Sequence, residues 1–336
     1  MESNRILLFR SESGDPSPMD QSLGARLSAL EGPAHSTITV EEEVFCRDDL
    51  ADMEKKLGPW KGKVSGVIGA TNVPESTRLG ELSDEMKILC FVANNNPSVW
   101  QRRKHVFHIG LPSTQTAEAV ALLLQKTKRK RIFLLYDQTE FQRRVASSME
   151  AALKNHKMEV SSRAALTDAG FESLKEWRPD LIYMIFSSER KCLPIVQKIR
   201  ELSQVPLLFG RSLLRESFLS AIDDVGEAWF VDMFHRNGTQ TPIQKDFFRI
   251  LSARGVNVPT ANHAFGWDAM SFCALGLQAG RGQYLLAIDY LESGVALEGA
   301  SGVCSFSRDN HNGRSGSGPT TLTRWYRGHL EEVVTF

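Results

Sequence analysis

Short apolar runs rich in β-branched residues alternate along this chain with longer stretches whose apolar positions recur every three to four residues. The runs at 6–9, 37–45, 64–68, 87–93 and 105–109 read as strands, and the stretches at 19–30, 47–57 and 75–86 read as helices between them. In the last of these, Leu79, Leu82 and Met86 fall at helical spacing. The pattern then restarts. A helix over 114–126 carries Ala117, Val120, Ala121 and Leu124 on one face, followed by a strand at 131–136, a helix at 139–155 and a strand at 159–164. Strands at 181–186, 207–209 and 228–233 follow, with a helix at 190–203. Helices are expected at 242–254, 262–279 and 284–292, and strand pairs at 303–306, 322–326 and 330–336. Strands alternating with helices imply βαβ units, parallel sheets and right-handed crossovers. Two such series imply an α/β protein with two doubly wound parallel-sheet lobes. A length of 336 residues suits two domains of ~150. Each is large enough to bury a core without a disulfide or metal.

Charge narrows the function. Forty Lys+Arg balance forty Asp+Glu, which argues against a nucleic-acid partner, because polyanion affinity rests on surplus cations. The basic run at 126–131 (Lys-Thr-Lys-Arg-Lys-Arg) is read as a solvated helix end, where cations complement the helix dipole. No apolar run reaches the ~18 residues of a membrane span, so no direct membrane insertion is expected. The N-terminus lacks the long apolar stretch of a secretory leader. The expected location is therefore extracytoplasmic if a leader has been removed, and cytoplasmic otherwise. The five cysteines, Cys46, Cys90, Cys192, Cys273 and Cys304, are odd in number, widely spaced and without a CxxC, and read as small buried hydrophobes. The Gly-, Ser- and Asn-rich stretch 310–318 reads as a flexible loop.

Catalytic and cofactor motifs are missing. There is no Walker A sequence, no GxGxxG after the first strand, no GxSxG and no HExxH. His105 and His108 flank a strand without a further ligand at metal spacing, and read as structural. Asp137, Asp168 and Asp232 lie near strand ends, but nothing in their spacing singles out an acid–base pair. No enzyme, cofactor or metal is expected.

Several segments share one order. Val67-Ile68-Gly69 leads through a polar loop into the helix at 75–86, then Ile88-Leu89 and Asn94-Asn95-Asn96-Pro97. Phe107-His108-Ile109-Gly110 follows, then 131–137 with Phe141, Gly266-Trp267-Asp268-Ala269, and Leu297-Glu298-Gly299-Ala300-Ser301-Gly302 with Phe306. In this order, across roughly 60–335, the chain resembles the type I periplasmic binding-protein family, in particular its branched-chain amino-acid and amide-binding branch. The resemblance implies two lobes, 1–111 with 235–309 and 112–234 with 310–336, joined by three crossovers near 110–113, 231–235 and 308–313. It also implies a small-molecule ligand held in an interlobe cleft, with hinge closure reported to an ABC permease or a signalling partner.

Carried over residue by residue, the resemblance makes Thr71, Asn72 and Ser76 the candidates for the hydroxyl-bearing loop after 67–69, at a helix N-terminus suited to a carboxylate. The alternative is that Glu75 or Ser76 caps the helix. Asn94, Asn95 and Asn96 occupy the next site loop, as amides that donate and accept. The alternative for them is a plain turn before Pro97. Phe141 stands where a site tyrosine is common. Ser187 and Ser188 follow the strand at 181–186. Arg211 stands where amino-acid binders place a carboxylate for the ligand ammonium, so an α-amino acid is disfavoured and a neutral or anionic solute favoured. The expected function is non-catalytic binding of a small polar solute of the amino-acid, amide or carboxylate class. The alternatives are a cytosolic ligand sensor, a degenerate interaction domain without ligand, or an enzyme on a doubly wound scaffold.

Overall fold

The computed structural model describes residues 4–12, 16–32, 38–94, 96–164, 168–236, 240–314, 320–326 and 328–334; side chains are described from 171 onward in the helix that begins at 168. The chain forms two compact units. Met1–Pro112 with Thr241–Gly316 make the first, and Ser113–Gln240 with Ser317–Phe336 the second.

The first unit is built on five parallel strands: β1 (Asn4–Glu12), β2 (Ile38–Cys46), β3 (Gly66–Gly69), β4 (Leu89–Val92) and β5 (Val106–His108), in the order β2-β1-β3-β4-β5. Strands β3 and β4 are only four residues long and wholly buried, as expected of strands covered on both faces. On one face Leu7, Phe9, Val67, Cys90 and Val92 pack with Met53, Leu57 and Leu79 from helices Leu50–Leu57 and Val73–Met86. Helices Ser17–Glu31 and Ala261–Ala279 cross each other so closely that a Cβ on Gly24 would lie 1.9 Å from the His263 carbonyl, and one on Gly266 1.9 Å from the Gln21 carbonyl. The order of strands reverses between β1 and β3, so the carboxyl end of that pair is the switch point at which open α/β sheets bind ligands.

The second unit holds parallel β6 (Arg131–Tyr136), β7 (Glu159–Ala164), β8 (Leu181–Ile185), β9 (Leu207–Phe209) and β10 (Ala228–Asp232). The hairpin β11 (Leu297–Gly299) and β12 (Gly302–Cys304) belongs to the first unit. Antiparallel β13 (Thr321–Tyr326) and β14 (His329–Val334) complete the second sheet, β14-β13-β10-β9-β8-β6-β7. Its order reverses between β6 and β8. Helices Ser113–Lys126 and Glu140–Asn155 bury Ala117, Val120, Leu124, Met149 and Leu153 against this sheet.

Several expectations are corrected. Helices Asp168–Trp177 and Glu216–Ala221 were not anticipated. Residues 310–314, read as the start of a flexible loop, are ordered. The His108 amide donates to the His311 carbonyl (2.8 Å), the Gly313 amide to the His108 carbonyl (2.9 Å), and Arg314 Nε to the Ile109 carbonyl (3.3 Å). These bonds hold 311–314 against the end of β5, within the first unit. Residues 315–318 lie outside the described residues. Cys46 is exposed, not buried, while the other four cysteines are buried. The Asp52 carboxylate beside Cys46 raises its thiol pKa and so opposes thiolate formation.

Candidate functional site

In the first unit the loop after β3 must turn immediately. A Cβ on Gly69 would meet the Phe9 carbonyl at 1.8 Å, and Ala70 takes a left-handed φ of 54°. Two side chains stabilise this turn. Ser76 Oγ donates to the Ala70 carbonyl (3.1 Å), and Asn94 Nδ2 donates to the Thr71 carbonyl (3.2 Å) while lying 3.4 Å from Ser76 Oγ. Asn94 Oδ1 accepts from the Asn96 amide (2.8 Å). Thr71, Ser76, Asn94 and Asn96 are therefore one cluster joining the loops after β3 and β4. Ser76 and Asn94 are buried braces within it, and Thr71 and Asn96 are half-buried.

Asn72 faces elsewhere. It caps helix Val73–Met86 by accepting from the Glu75 amide (2.9 Å), with Nδ2 3.5 Å from Asp48 Oδ1. The cap is thus Asn72, where Glu75 or Ser76 was the expected alternative. Asn96 likewise caps the short turn Pro97–Val99 through the Ser98 amide (3.1 Å). Asn95 lies outside the described residues. Sequence reasoning passed over Glu75 as a chemical group. Its carboxylate is fully buried, with Oε1 accepting from the Asp48 amide (3.1 Å) and Oε2 without a hydrogen-bond partner among the described residues. A carboxylate at the third position of a capped helix gave no signal beyond favourable dipole placement.

The two histidines have structural partners. His105 Nδ1 lies 2.6 Å from Asp84. His108 stacks on Trp100 with centroids 3.7 Å apart and shares Nδ1 with Asn312 Oδ1 at 3.0 Å. Burial pushes the His108 pKa down to about 3, so the ring is neutral at ordinary pH. The Gly266–Ala269 motif proves to be a brace. Asp268, fully buried, accepts from the amides of Ala300 (2.6 Å) and Ser301 (2.9 Å) and from the Ser301 hydroxyl. It sits 3.6 Å from the buried Arg314 guanidinium. Burial raises the Asp268 pKa to about 6 against the pull of Arg314 and these hydrogen bonds. Gly299 is required there, since a Cβ would lie 2.4 Å from the Asp268 carboxyl carbon.

In the second unit the candidates follow adjacent strands. Ser187 is exposed after β8, and Ser188 begins helix Glu189–Leu202 without a side-chain cap bond. Arg211, half-buried in the turn after β9, donates from Nη2 to Thr116 Oγ1 (2.9 Å). Thr116, in the first turn of helix Ser113–Lys126, was not anticipated. Ser212 Oγ donates to the Phe186 carbonyl (3.1 Å) and ties the β9 turn to the end of β8. Below these turns Tyr183 is buried, its phenol pushed up to about 12 by burial against the opposing pull of Arg211. Phe141 sits in the first turn of helix Glu140–Asn155, partly exposed. Two acidic groups near these loops hold cations. Asp137, nearly buried after β6, pairs with Lys191 at 2.8 Å, and Glu189 with Arg215 at 3.4 Å. Asp232 accepts from the Met233 amide (2.7 Å) and pairs with Arg236. The Asp168 side chain lies outside the described residues.

Two doubly wound sheets, each with polar loops at its carboxyl ends, define the type I periplasmic-binding-protein fold, and known structures agree. The leucine-binding protein LivK of Thermotoga maritima matches with a TM-score of 0.82 at 17% identity, over 99% of this chain and 98% of that one. LivJ of Streptococcus pneumoniae, solved with isoleucine, matches at 0.79 and 16%, over 99% and 100%. An ABC-transporter solute-binding protein of R. palustris in complex with benzoate matches at 0.78 and 15%, over 99% and 96%. A search of curated proteins found no match in sequence. The family model described as "Periplasmic binding protein" matches residues 60–325. The chain belongs to that family, whose members are non-enzymatic solute-binding proteins.

Proposed function

We propose that this solute-binding protein takes a small carboxylate without an amino group, using the second unit's turns after β8 and β9, and delivers it to an ABC permease. The observation that supports this ligand class is the charge arrangement of the second unit. Arg211 sits in the turn after β9 with Nη2 on Thr116 Oγ1, and the nearby carboxylates Asp137 and Glu189 each hold a cation. A ligand ammonium would have to displace Lys191 or Arg215 or be left without a counter-charge, which is costly when desolvated. A ligand carboxylate would meet the Arg211 fork, whose geometry suits two parallel hydrogen bonds. The R. palustris relative bound to benzoate supports the same class, and the isoleucine-bound LivJ supports the alternative.

Calorimetric titration with benzoate, 4-hydroxybenzoate, leucine and isoleucine tests the proposal. Binding of an aromatic carboxylate and weakening by about 2–5 kcal/mol in Arg211→Ala are expected, the range for truncating one partner of a buried charge pair. Tight binding of leucine with no heat from the carboxylates, or an affinity unchanged by Arg211→Ala, overturns it.

A further inference from the structure

The opposite edge of the second sheet has its own chemistry. Strands β8, β6 and β7 are neighbours and parallel, so the turns that lead into them lie side by side. The Glu159 amide donates to the Lys130 carbonyl and the Asp180 amide to the Arg131 carbonyl, both at 2.8 Å, which stitches the three turns together. Each turn leaves its helix through a basic residue in the left-handed conformation: Lys128 (φ 62°), Lys157 (φ 61°) and Arg178 (φ 48°). Glycine or asparagine takes such a position with least strain. With Lys130, these make four exposed cations that enter no ion pair among the described residues. Two strand spacings of ~4.8 Å place the three turns within roughly 10 Å of one another.

The neighbouring charges offset this patch only in part: Glu176, exposed two residues before Arg178, enters no ion pair among the described residues, and the other acidic groups are engaged. Glu159 pairs with Arg131 (3.3 Å), Glu150 with Lys154 (2.6 Å) and Glu118 with His156 (2.6 Å). Asp180 accepts from the amides of Lys130 and Arg131 (3.0 Å each). The aromatic faces at this edge are covered, Trp177 by Arg131 at 4.8 Å and Trp229 by Arg129 at 5.4 Å. Single-stranded nucleic acid needs open stacking faces, which this edge does not offer. A specific protein partner needs an apolar centre, and the exposed groups here are charged. Three of the four free cations are lysines, point charges on flexible stems. That arrangement suits many mobile anions in a plane rather than one fixed carboxylate.

We propose that this edge of the second unit docks peripherally on an anionic phospholipid surface, at the end of the sheet opposite the candidate ligand loops and without insertion of apolar groups. The proposal is independent of the ligand assignment. The test is co-sedimentation of the full chain with vesicles of phosphatidylcholine mixed with anionic phosphatidylglycerol and with pure phosphatidylcholine. The variant Lys128→Asn/Lys130→Gln/Lys157→Asn/Arg178→Asn removes the four charges while giving the three left-handed positions a residue that tolerates them. A control, Lys55→Gln/Lys61→Gln/Lys63→Gln/Lys245→Gln, removes four exposed cations from the first unit and reaches the same net charge. Wild type and control are expected to bind anionic vesicles only, and to release in ~0.5 M salt. The edge variant, shown folded by its melting transition, is expected to bind more weakly by a factor on the order of several hundred, about fivefold per cation. Equal binding of the edge variant and wild type, equal weakening in the control, or retention by heparin without retention by vesicles overturns the proposal.

Discussion

Gly266→Ala separates intrinsic helix preference from packing, because the two predict opposite signs. Gly266 lies inside helix Ala261–Ala279, where replacing glycine with alanine should stabilise by about 1 kcal/mol if nothing were nearby. Here the new Cβ would lie 1.9 Å from the Gln21 carbonyl oxygen, 2.8 Å from its carbon and 3.0 Å from the Ala25 nitrogen. These are backbone atoms of helix Ser17–Glu31, so no rotamer change relieves the contact, and the two helices must separate by more than ~1 Å. Overpacking costs up to about 3 kcal/mol or more, and a gap of that size forfeits a quarter to a half of the dispersion energy along the seam. The net expectation is a destabilisation of about 2 kcal/mol or more. At roughly 2–4 °C per kcal/mol for a unit of this size, scanning calorimetry should show a transition lowered by about 4–8 °C. Gly276→Ala in the same helix is the control. It gains the same propensity, and its Cβ would meet only the Leu291 side chain at 3.0–3.1 Å, which can yield. Gly24→Ala should repeat the loss, since its Cβ meets the His263 carbonyl across the same crossing. The double variant should cost less than the sum, because the first alanine already parts the helices. A Gly266→Ala protein that melts at or above wild type would refute the close crossing.

Other expectations follow from single contacts. With the His108 pKa depressed from 6.5 to about 3, its contribution to stability is full above pH ~6.5 and is lost as pH falls toward 3, by up to about 5 kcal/mol. His108→Asn should flatten the acid limb of a stability–pH curve, and an unchanged limb would exclude this residue as its cause. Gly299→Ala drives a Cβ into the carboxylate that holds the Ala300 and Ser301 amides, and should lower stability by about 3 kcal/mol in urea unfolding. Gly58→Ala, with nothing within 4 Å of the added carbon, should stay within about 1 kcal/mol of wild type.

The two-series α/β pattern was legible because each long element carries its own periodicity. The strands at 131–136, 159–164 and 207–209 have the expected bounds. The helices that escaped notice had too little signal. Asp168–Trp177 is ten residues long with Gly170 inside it, and Glu216–Ala221 spans under two turns, so tertiary packing rather than pattern sustains them. The candidate loops were legible as places, since polar residues after a parallel strand stand out, but the task of each residue was not. A helix N-terminus exposes unpaired N–H groups, and the side chains that satisfy them are the same Ser, Thr and Asn that would hold a ligand carboxylate. Asn72 and Asn96 cap, Ser76 and Asn94 brace the turn at Ala70, and Thr71 contributes its carbonyl to that brace. These tasks differ only in which loop faces which, information that spacing along one chain does not hold. Arg211 differs because no cap or turn requires a guanidinium. Its charge sign was readable in the sequence, and its hydrogen bond to Thr116, ninety-five positions away, fixes where that charge is presented. The proposed ligand class therefore rests on Arg211 more than on any of the hydroxyls and amides.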